Sequence, residues 1–84
     1  MASVVEALPA GLDERQAACL AAGDEVLLRF RGDGLGLPRE YDGRWAIVRT
    51  VHRGLVVVRC ETRWGVEQRL VSPRSIVAVR RETS

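Results

Sequence analysis

Apolar and polar positions are most regularly ordered between residues 41 and 62, where two apolar, β-branched runs flank the dipeptide Arg53-Gly54. Valine side chains lose little conformational freedom when the backbone is extended, and they pack well on a pleated surface. A short Gly-containing break between two such runs is typical of a tight turn. The pattern therefore predicts a β-hairpin with strands near 44–52 and 55–62.

The first strand of this hairpin carries apolar residues on both of its faces. Ala46, Val48 and Thr50 share one face, and Trp45, Ile47, Arg49 and Val51 share the other. A regular strand that is covered on one side alternates apolar and polar positions. We therefore expect a bend or bulge here, as a tightly curled small barrel requires.

Shorter strands are predicted on either side of the hairpin. Residues 24–31 alternate with period two, and apolar stretches near 66–71 and 76–80 predict two more strands. The sequence Ser-Pro-Arg-Ser at 72–75 separates these two and predicts a single helical turn. Residues 32–43 are glycine-rich and have no period, so they predict a long loop, a kind of segment that often carries function.

A short helix is predicted before the first strand. Asp13 can cap the free backbone amides, and Gln16, three residues later, suits a capping box. Gly23 is placed to end the helix, which predicts a span of 14–22. We interpret this helix as a lid over one open end of a barrel.

The chain ends are predicted to lie outside the barrel. Residues 1–12 contain an apolar run that is too short to be stable alone and is ended by Pro9, so they predict an N-terminal tail. Residues 81–84 are expected to fray. The domain itself is expected to span 13–80. The predicted fold class is mostly β: a five-stranded barrel with a short N-terminal α-helix.

This order of elements resembles that of SH3-like barrels. The sequence Ser-Pro-Arg-Ser-Ile-Val-Ala-Val at 72–79 is similar to the helical turn and final strand of that fold. Within it, residues 23–28 and 43–51 resemble the KOW pattern of ribosomal and transcription-elongation proteins, a likeness that covers about residues 23–60. In KOW modules a glycine usually stands at the place of Ala46. The resemblance implies a binding function.

A second resemblance is to the ferredoxin-docking barrel subunits of photosystem I. These have a tyrosine-bearing loop before a Gly-x-Val-x-x-Val strand, and a Val-Val-Val-Arg strand after it. Here Tyr41, residues 43–51 and residues 56–59 occupy the similar places. This resemblance also implies binding rather than catalysis, with a larger protein as the partner.

Charge is unevenly distributed along the chain. All thirteen basic residues are arginine, and the formal net charge is +2. Residues 1–42 hold four arginines and eight acids, whereas residues 43–84 hold nine arginines and three acids. The second half can therefore form a basic face that attracts a polyanion, or the two halves can neutralise one another after folding. Both interpretations are open at this point.

The cysteines and the N-terminus predict no special chemistry. Cys19 and Cys60 are far apart in sequence, so each is expected to be a small buried hydrophobic residue. Two cysteines and one histidine cannot complete a four-ligand zinc site, and we expect neither a metal nor a cofactor. No basic signal region or membrane-length apolar run is present, which favours a cytoplasmic protein without membrane contact.

Catalytic groups are not evident in the sequence. His52, the single histidine, stands beside the predicted turn and is interpreted as a solvated turn residue. Without a general base, a ribonuclease on an SH3-like scaffold is not favoured, and the chain is not expected to be an enzyme.

Binding residues, in contrast, are suggested by aromatic side chains interspersed with arginine, a mixture suited to base stacking and phosphate contacts. The same residue types anchor protein interfaces. The leading hypothesis is a module that binds nucleic acid or a nucleoprotein, and the alternative is a protein-docking adaptor or accessory subunit. The expected binding residues are Arg39, Tyr41, Arg44, Trp45, Arg49, Arg63, Trp64 and Arg69. Whichever of the two tryptophans is exposed is expected to mark the binding surface.

Overall fold

The structure is a computed structural model that describes residues 2–30 and 37–83. Within these ranges the chain forms one antiparallel sheet and one short helix. The strands are β1 (Ala2–Ala7), β2 (Glu25–Leu28), β3 (Trp45–His52), β4 (Leu55–Thr62), β5 (Gly65–Val71) and β6 (Ile76–Thr83), and the helix is α1 (Glu14–Ala18). The strand order is β1-β6-β2-β3-β4-β5, and the sheet is not closed.

The mostly β fold predicted from the sequence is confirmed, but the five-stranded barrel is wrong in its strand count. The five expected strands are present as β2 to β6, and β1 adds a sixth. The described part of the predicted first strand is confined to Glu25–Leu28, and Arg31 lies outside the described residues. Of the predicted loop at 32–43, residues 32–36 also lie outside them, and the remainder contains a 3₁₀ turn at Arg39–Tyr41.

The predicted N-terminal tail forms strand β1. It pairs with β6 in a register that places Val5 opposite Arg80 and Ala7 opposite Ala78. The ladder continues where Leu8 donates its backbone N–H to the carbonyl of Val77 at 2.8 Å. This pairing also extends β6 to Thr83, where fraying was expected. A short apolar run becomes stable here because a distant strand satisfies its backbone, which local pattern cannot indicate.

Helix α1 begins as the sequence predicts and ends earlier. The carboxylate of Asp13 accepts from the backbone N–H of Gln16 at 2.8 Å, and the Gln16 side chain accepts from the backbone N–H of Asp13 at 2.9 Å. The helix ends at Ala18 rather than near residue 22. Beyond the helix, the side chain of Asp24 accepts from the backbone N–H of Ala21 at 2.9 Å. The capping box is therefore confirmed and the helix length is corrected.

The turn of the central hairpin joins β3 to β4 through Arg53 and Gly54. Both residues have positive φ angles, 50° and 77°, as the tightest hairpin turns require. His52 faces Leu55 across the first rung of the ladder. The hairpin and its turn are as the sequence predicts.

A bulge interrupts β3 at Arg49. The register with β4 shifts between Val48 and Thr50, so one extra residue stands on the β3 side. Beyond the bulge the alternation reverses: Thr50 is exposed, whereas Val51 is half-buried and packs against the core. The predicted bulge is confirmed, and the expectation that Thr50 shares a face with Ala46 and Val48 is wrong for this reason.

The hydrophobic core lies on one side of the curled sheet, which we call the inner side. Leu12, Ala17 and Leu20, in and beside α1, pack on this side together with residues of the strands. The buried apolar residues that form the core are Leu12, Ala17, Leu20, Val26, Leu28, Tyr41, Ala46, Val48, Val56, Val58, Cys60, Val71, Ile76 and Val79. The core contains the aromatic ring of Tyr41, and neither tryptophan is fully buried.

The two cysteines have different environments, and both are free thiols. Cys60 is buried on β4, as expected. Cys19 is exposed, contrary to expectation, because it is the C-cap of a helix that ends one residue before it. Its backbone N–H donates to the carbonyl of Gln16 at 3.1 Å, and its side chain lies at the surface.

Candidate binding surface

The outer face of the sheet is the side of β3, β4 and β5 that points away from the core. Pairing aligns its side chains in rows because residues directly opposite each other point to the same side. One row contains Ile47, Arg59 and Gln68, all exposed. The outer face therefore combines aliphatic side chains with arginine.

A second row on the outer face is more apolar. Thr50 faces Val57, and Val57 faces Leu70 on the next strand. Val66 stands two positions before Gln68 on β5 and is 51% exposed, while Leu70 stands two positions after it and is 52% exposed. Exposed aliphatic side chains thus stand at both ends of β5 on the same face of the sheet.

The β4–β5 turn presents Trp64 to solvent. Its side chain is 75% exposed, and the guanidinium carbon of Arg63 lies 5.7 Å from the centre of its ring. The turn is held from within, since the hydroxyl of Thr62 accepts from the backbone N–H of Trp64 at 3.1 Å and donates to the carbonyl of Gly65 at 3.0 Å. An ordered turn thus holds an exposed aromatic ring beside a cation.

Trp45 is less accessible than Trp64. It begins β3 on the outer side and is half-buried, and the guanidinium carbon of Arg80 lies 4.4 Å from its ring centre. Arg80 is also paired with the carboxylate of Glu25. One face of the Trp45 ring is therefore already covered, so Trp64 is the exposed tryptophan.

Tyr41 is buried rather than presented by its loop. Its ring is 0% exposed, and its hydroxyl donates to the carboxylate of Glu67 while accepting from Nε of Arg69 at 3.2 Å. The guanidinium carbon of Arg69 lies 5.2 Å from the ring centre. The ring is thus not available for stacking on a ligand, which corrects the role expected for Tyr41, and Arg69 is engaged with it on the inner side.

Burial and the bond to Glu67 raise the pKa of the Tyr41 hydroxyl, while Arg69 acts in the opposite direction. The hydrogen bond with Tyr41 in turn raises the pKa of Arg69. This cluster is a neutral phenol held between a carboxylate and a guanidinium, and it ties the 3₁₀ turn to β5.

Arg44 and Arg39 have structural partners of their own. Nε of Arg44 donates to the carbonyl of Glu40 at 2.8 Å, and its Nη1 donates to the carbonyl of Glu61 at 3.4 Å. The guanidinium carbon of Arg39 lies 5.5 Å from the ring centre of Phe30. Arg44 therefore links the 3₁₀ turn to the end of β4, while both side chains remain exposed.

The eight expected binding residues thus fall into groups. Arg63 and Trp64 are together and exposed at the β4–β5 turn, Arg44 and Trp45 lie at the start of β3, and Arg49 is exposed at the bulge. The sequence interpretation missed Arg59, whose position between the buried Val58 and Cys60 is the signal that would have placed it outside. It also missed the exposed aliphatic residues Ile47, Val66 and Leu70.

Part of the uneven charge along the chain is neutralised within the fold. The pairs Arg80–Glu25 and Arg81–Asp24, the latter at 3.4 Å, neutralise charges between the two halves of the chain. Other arginines in the hairpins are exposed and have no carboxylate within 4.0 Å among the described residues: these are Arg49, Arg53, Arg59 and Arg63. Within the described ranges, exposed arginines without a carboxylate partner therefore lie on the β3–β5 hairpins, which also carry the exposed Glu61, and others lie elsewhere, such as Arg15 and Arg74.

Other functional features were sought in the same residues. Within 2–30 and 37–83, no three His, Cys, Asp or Glu side chains are grouped so that they could hold a metal ion. His52 is exposed at the end of β3. No helix in the described part of the chain is long and apolar enough to cross a membrane. Comparison with protein-family models, with curated proteins and with solved structures finds no match.

Proposed function

We propose that this chain is a non-catalytic binding module that contacts nucleic acid or a nucleoprotein through the outer face of β3–β5. The observation that carries the proposal is the exposed ring of Trp64 with Arg63 beside it. Arg59 lies on β4, which leads to this turn, and Arg49 lies on the neighbouring strand β3. The location expected for such a protein is cytoplasmic.

The chemistry of this surface suits a flexible single strand. Stacking of a base on an exposed aromatic ring contributes about 1–3 kcal/mol, and it does not depend on base identity. Arginines without carboxylate partners contact phosphates and release condensed counterions. One stacking residue with several arginines favours sequence-tolerant binding.

The strand order is the support for an SH3-like assignment, which stays part of the proposal. Strands β6-β2-β3-β4-β5 are neighbours in that order, and a 3₁₀ turn at Pro73–Ser75 precedes β6, as the resemblance implies. Strand β1 is then an additional edge strand, paired with β6. KOW modules are the members of that class whose binding function agrees with this surface.

A titration monitored through backbone amide resonances tests the proposal. Single-stranded RNA, single-stranded DNA and duplex DNA are added at low and at moderate salt. We expect shifts at Arg59, Arg63 and Trp64, with affinity that falls steeply as salt is raised. An absence of binding to all three at low salt would contradict the proposal.

Matched variants locate the contact. Arg59→Gln is expected to lower the slope of log affinity against log salt by about 1 unit, since one phosphate contact is lost. Arg15→Gln removes the same charge from the exposed surface of α1, away from the outer face, and is expected to leave the slope unchanged. Equal effects of the two substitutions would mean that only net charge matters.

A second candidate, a protein-docking adaptor, is favoured by the exposed aliphatic residues Ile47, Val66 and Leu70. Aliphatic side chains do not stack on bases, and they are common in the centres of protein interfaces. Co-purification of one stoichiometric protein that resists nuclease treatment would support it. Its loss after Leu70→Lys would place the contact on β5.

A further inference from the structure

Strand β5 is a free edge of the sheet. It pairs with β4 along Gly65–Val71, and no strand lies on its other side among the described residues. An edge strand carries backbone N–H and carbonyl groups that can pair with another strand. Seven residues of extended chain are long enough to form a complete ladder.

The side chains of β5 alternate between two kinds of surface. Val66, Gln68 and Leu70 are exposed on the outer face. Glu67 and Arg69 point to the inner side, because they face Cys60 and Val58, which are buried. The strand therefore has an aliphatic side and a charged side. Val66 and Leu70 stand two positions before and after Gln68, and Glu67 and Arg69 stand one position before and after it.

We propose that β5 pairs with β5 of a second copy of this chain, antiparallel and centred on Gln68. In this arrangement Gln68 lies opposite Gln68 of the second copy. On the outer face, Val66 of each copy is opposite Leu70 of the other. On the inner side, Glu67 of each copy is opposite Arg69 of the other, so that two pairs of opposite charges form.

Charge complementarity selects this register over its neighbours. A slip of one strand by two residues moves the two-fold centre by one position and places Glu67 opposite Glu67, or Arg69 opposite Arg69. Like charges directly opposite each other are destabilising. Registers of the other parity would place the outer face of one copy against the inner side of its neighbour, which a continuous sheet does not allow.

The Tyr41 cluster prepares the charged side for this pairing. The hydroxyl of Tyr41 holds both charged side chains, and Nη2 of Arg69 is 3.7 Å from the carboxylate of Glu67. Inward-pointing charges on an edge strand oppose pairing with an arbitrary strand. A copy that carries the opposite charge at each facing position is the exception, so the charges restrict this edge to self-association.

The inference goes beyond the proposed binding function and does not depend on it. The two-fold axis is perpendicular to the sheet, so the outer faces of both copies are on the same side and form one surface with two Arg59 side chains. Loss of nucleic acid binding and loss of self-association can therefore be measured separately on the same protein.

Sedimentation equilibrium over a range of protein concentrations tests the proposal, with two charge variants. Glu67→Arg and Arg69→Glu each create two like-charge contacts, so each alone is expected to self-associate about tenfold more weakly or worse. Mixed together, they restore opposite charges at both facing positions and are expected to form a heterodimer about as tight as the parent dimer. A parent chain that is monomeric at all concentrations, or a mixture that does not recover, overturns the proposal.

Because Glu67 and Arg69 also contact Tyr41, a second experiment leaves them intact. Gln68→Cys in a Cys19→Ser background is expected to form a disulfide between copies, since residue 68 lies opposite itself. Val66→Cys in the same background is the control and is expected not to cross-link, because two copies of residue 66 lie four positions apart along the ladder. Equal cross-linking of both variants, or of neither, overturns the register.

Discussion

The hydroxyl group of Tyr41 donates a hydrogen bond to the carboxylate of Glu67, which is 26 residues further along the chain. Nε of Arg69 donates to the hydroxyl oxygen of Tyr41 at 3.2 Å. This contact attaches the 3₁₀ turn before β3 to the edge strand β5. The end of the long loop is thus held by a buried side chain in addition to the backbone hydrogen bonds that join Gly43 and Arg44 to Leu28.

Because Tyr41 is the single tyrosine, its ionisation can be followed directly by the ultraviolet absorbance of tyrosinate. Burial raises its pKa above the ordinary value of 10.0, so the folded state holds this proton more tightly than the unfolded state does. Its contribution to stability is complete below pH 10.0 and is lost as pH rises through the folded pKa. An ionisation midpoint equal to that of the unfolded chain would contradict this.

Neutral variants of the two partners are expected to move the pKa of Tyr41 in opposite directions. Glu67→Gln removes a carboxylate that disfavours tyrosinate, so the pKa falls. Arg69→Gln removes a cation that favours tyrosinate, so the pKa rises. The same absorbance titration measures both, and each variant serves as the control for the other. Shifts in pKa of the same sign in the two variants would mean that repacking around Tyr41, and not the lost charge, determines its pKa.

Gly11→Ala is expected to destabilise the fold by about 3 kcal/mol, from steric overlap together with left-handed backbone strain. A Cβ at this position would lie 2.5 Å from the carbonyl oxygen of Arg74, and the φ angle is +84°. Gly23→Ala is the control, since its φ is +97° but no atom lies within 4 Å of its Cβ. Urea unfolding measures both, and an equal loss in the two variants would show that strain alone matters.

Arg53→Asn is expected to stabilise the central hairpin by about 0.5–1 kcal/mol, because asparagine tolerates a left-handed backbone and Asn-Gly suits this turn. Arg53 adopts a φ of 50°. Arg53→Gln removes the same charge without that preference and should change stability little. Thermal unfolding of the two variants separates the backbone effect from the effect of charge.

The two thiols are expected to react with a thiol reagent at very different rates. Cys19 is exposed, whereas Cys60 is buried and burial raises the pKa of its thiol, so little thiolate forms. One fast reaction per chain in the native state and two in denaturant are the expected outcome. Cys19→Ser should abolish the fast reaction, and a fast reaction that persists in this variant would place Cys60 at the surface.

The parts of the fold that could be predicted are those set by neighbouring residues. Alternating valines and the Arg53-Gly54 turn predict the hairpin, and Asp13 with Gln16 predicts the start of α1. Strand β1 could not be predicted, since its apolar run is short and its stability comes from β6, more than seventy residues away in the pairing of Val4 with Arg81. Long-range pairing has no local signal.

The candidate site was predictable to a similar extent. An exposed tryptophan beside arginine was expected, and Trp64 with Arg63 provides it. The burial of Tyr41 could not be foreseen, because a glycine-rich loop has no period that assigns its side chains to one face. Its partners, Glu67 and Arg69, are on β5. The sequence alone does not show that the 3₁₀ turn with Tyr41 packs against this strand.

The bulge at Arg49 divides β3 into two segments. Even-numbered residues face the core in the first, and odd-numbered residues face it in the second. Before it, even-numbered positions such as Val48 must stay apolar; after it, the requirement passes to odd-numbered Val51. Deletion of this one residue would restore a regular ladder in which Thr50 still faces Val57 and Val51 still faces Val56, so both residues keep their present sides. In an alignment of future relatives, a one-residue gap at position 49 is therefore expected to leave the polar and apolar pattern at positions 50–52 unchanged, whereas a relative that keeps residue 49 without a bulge would need that pattern exchanged.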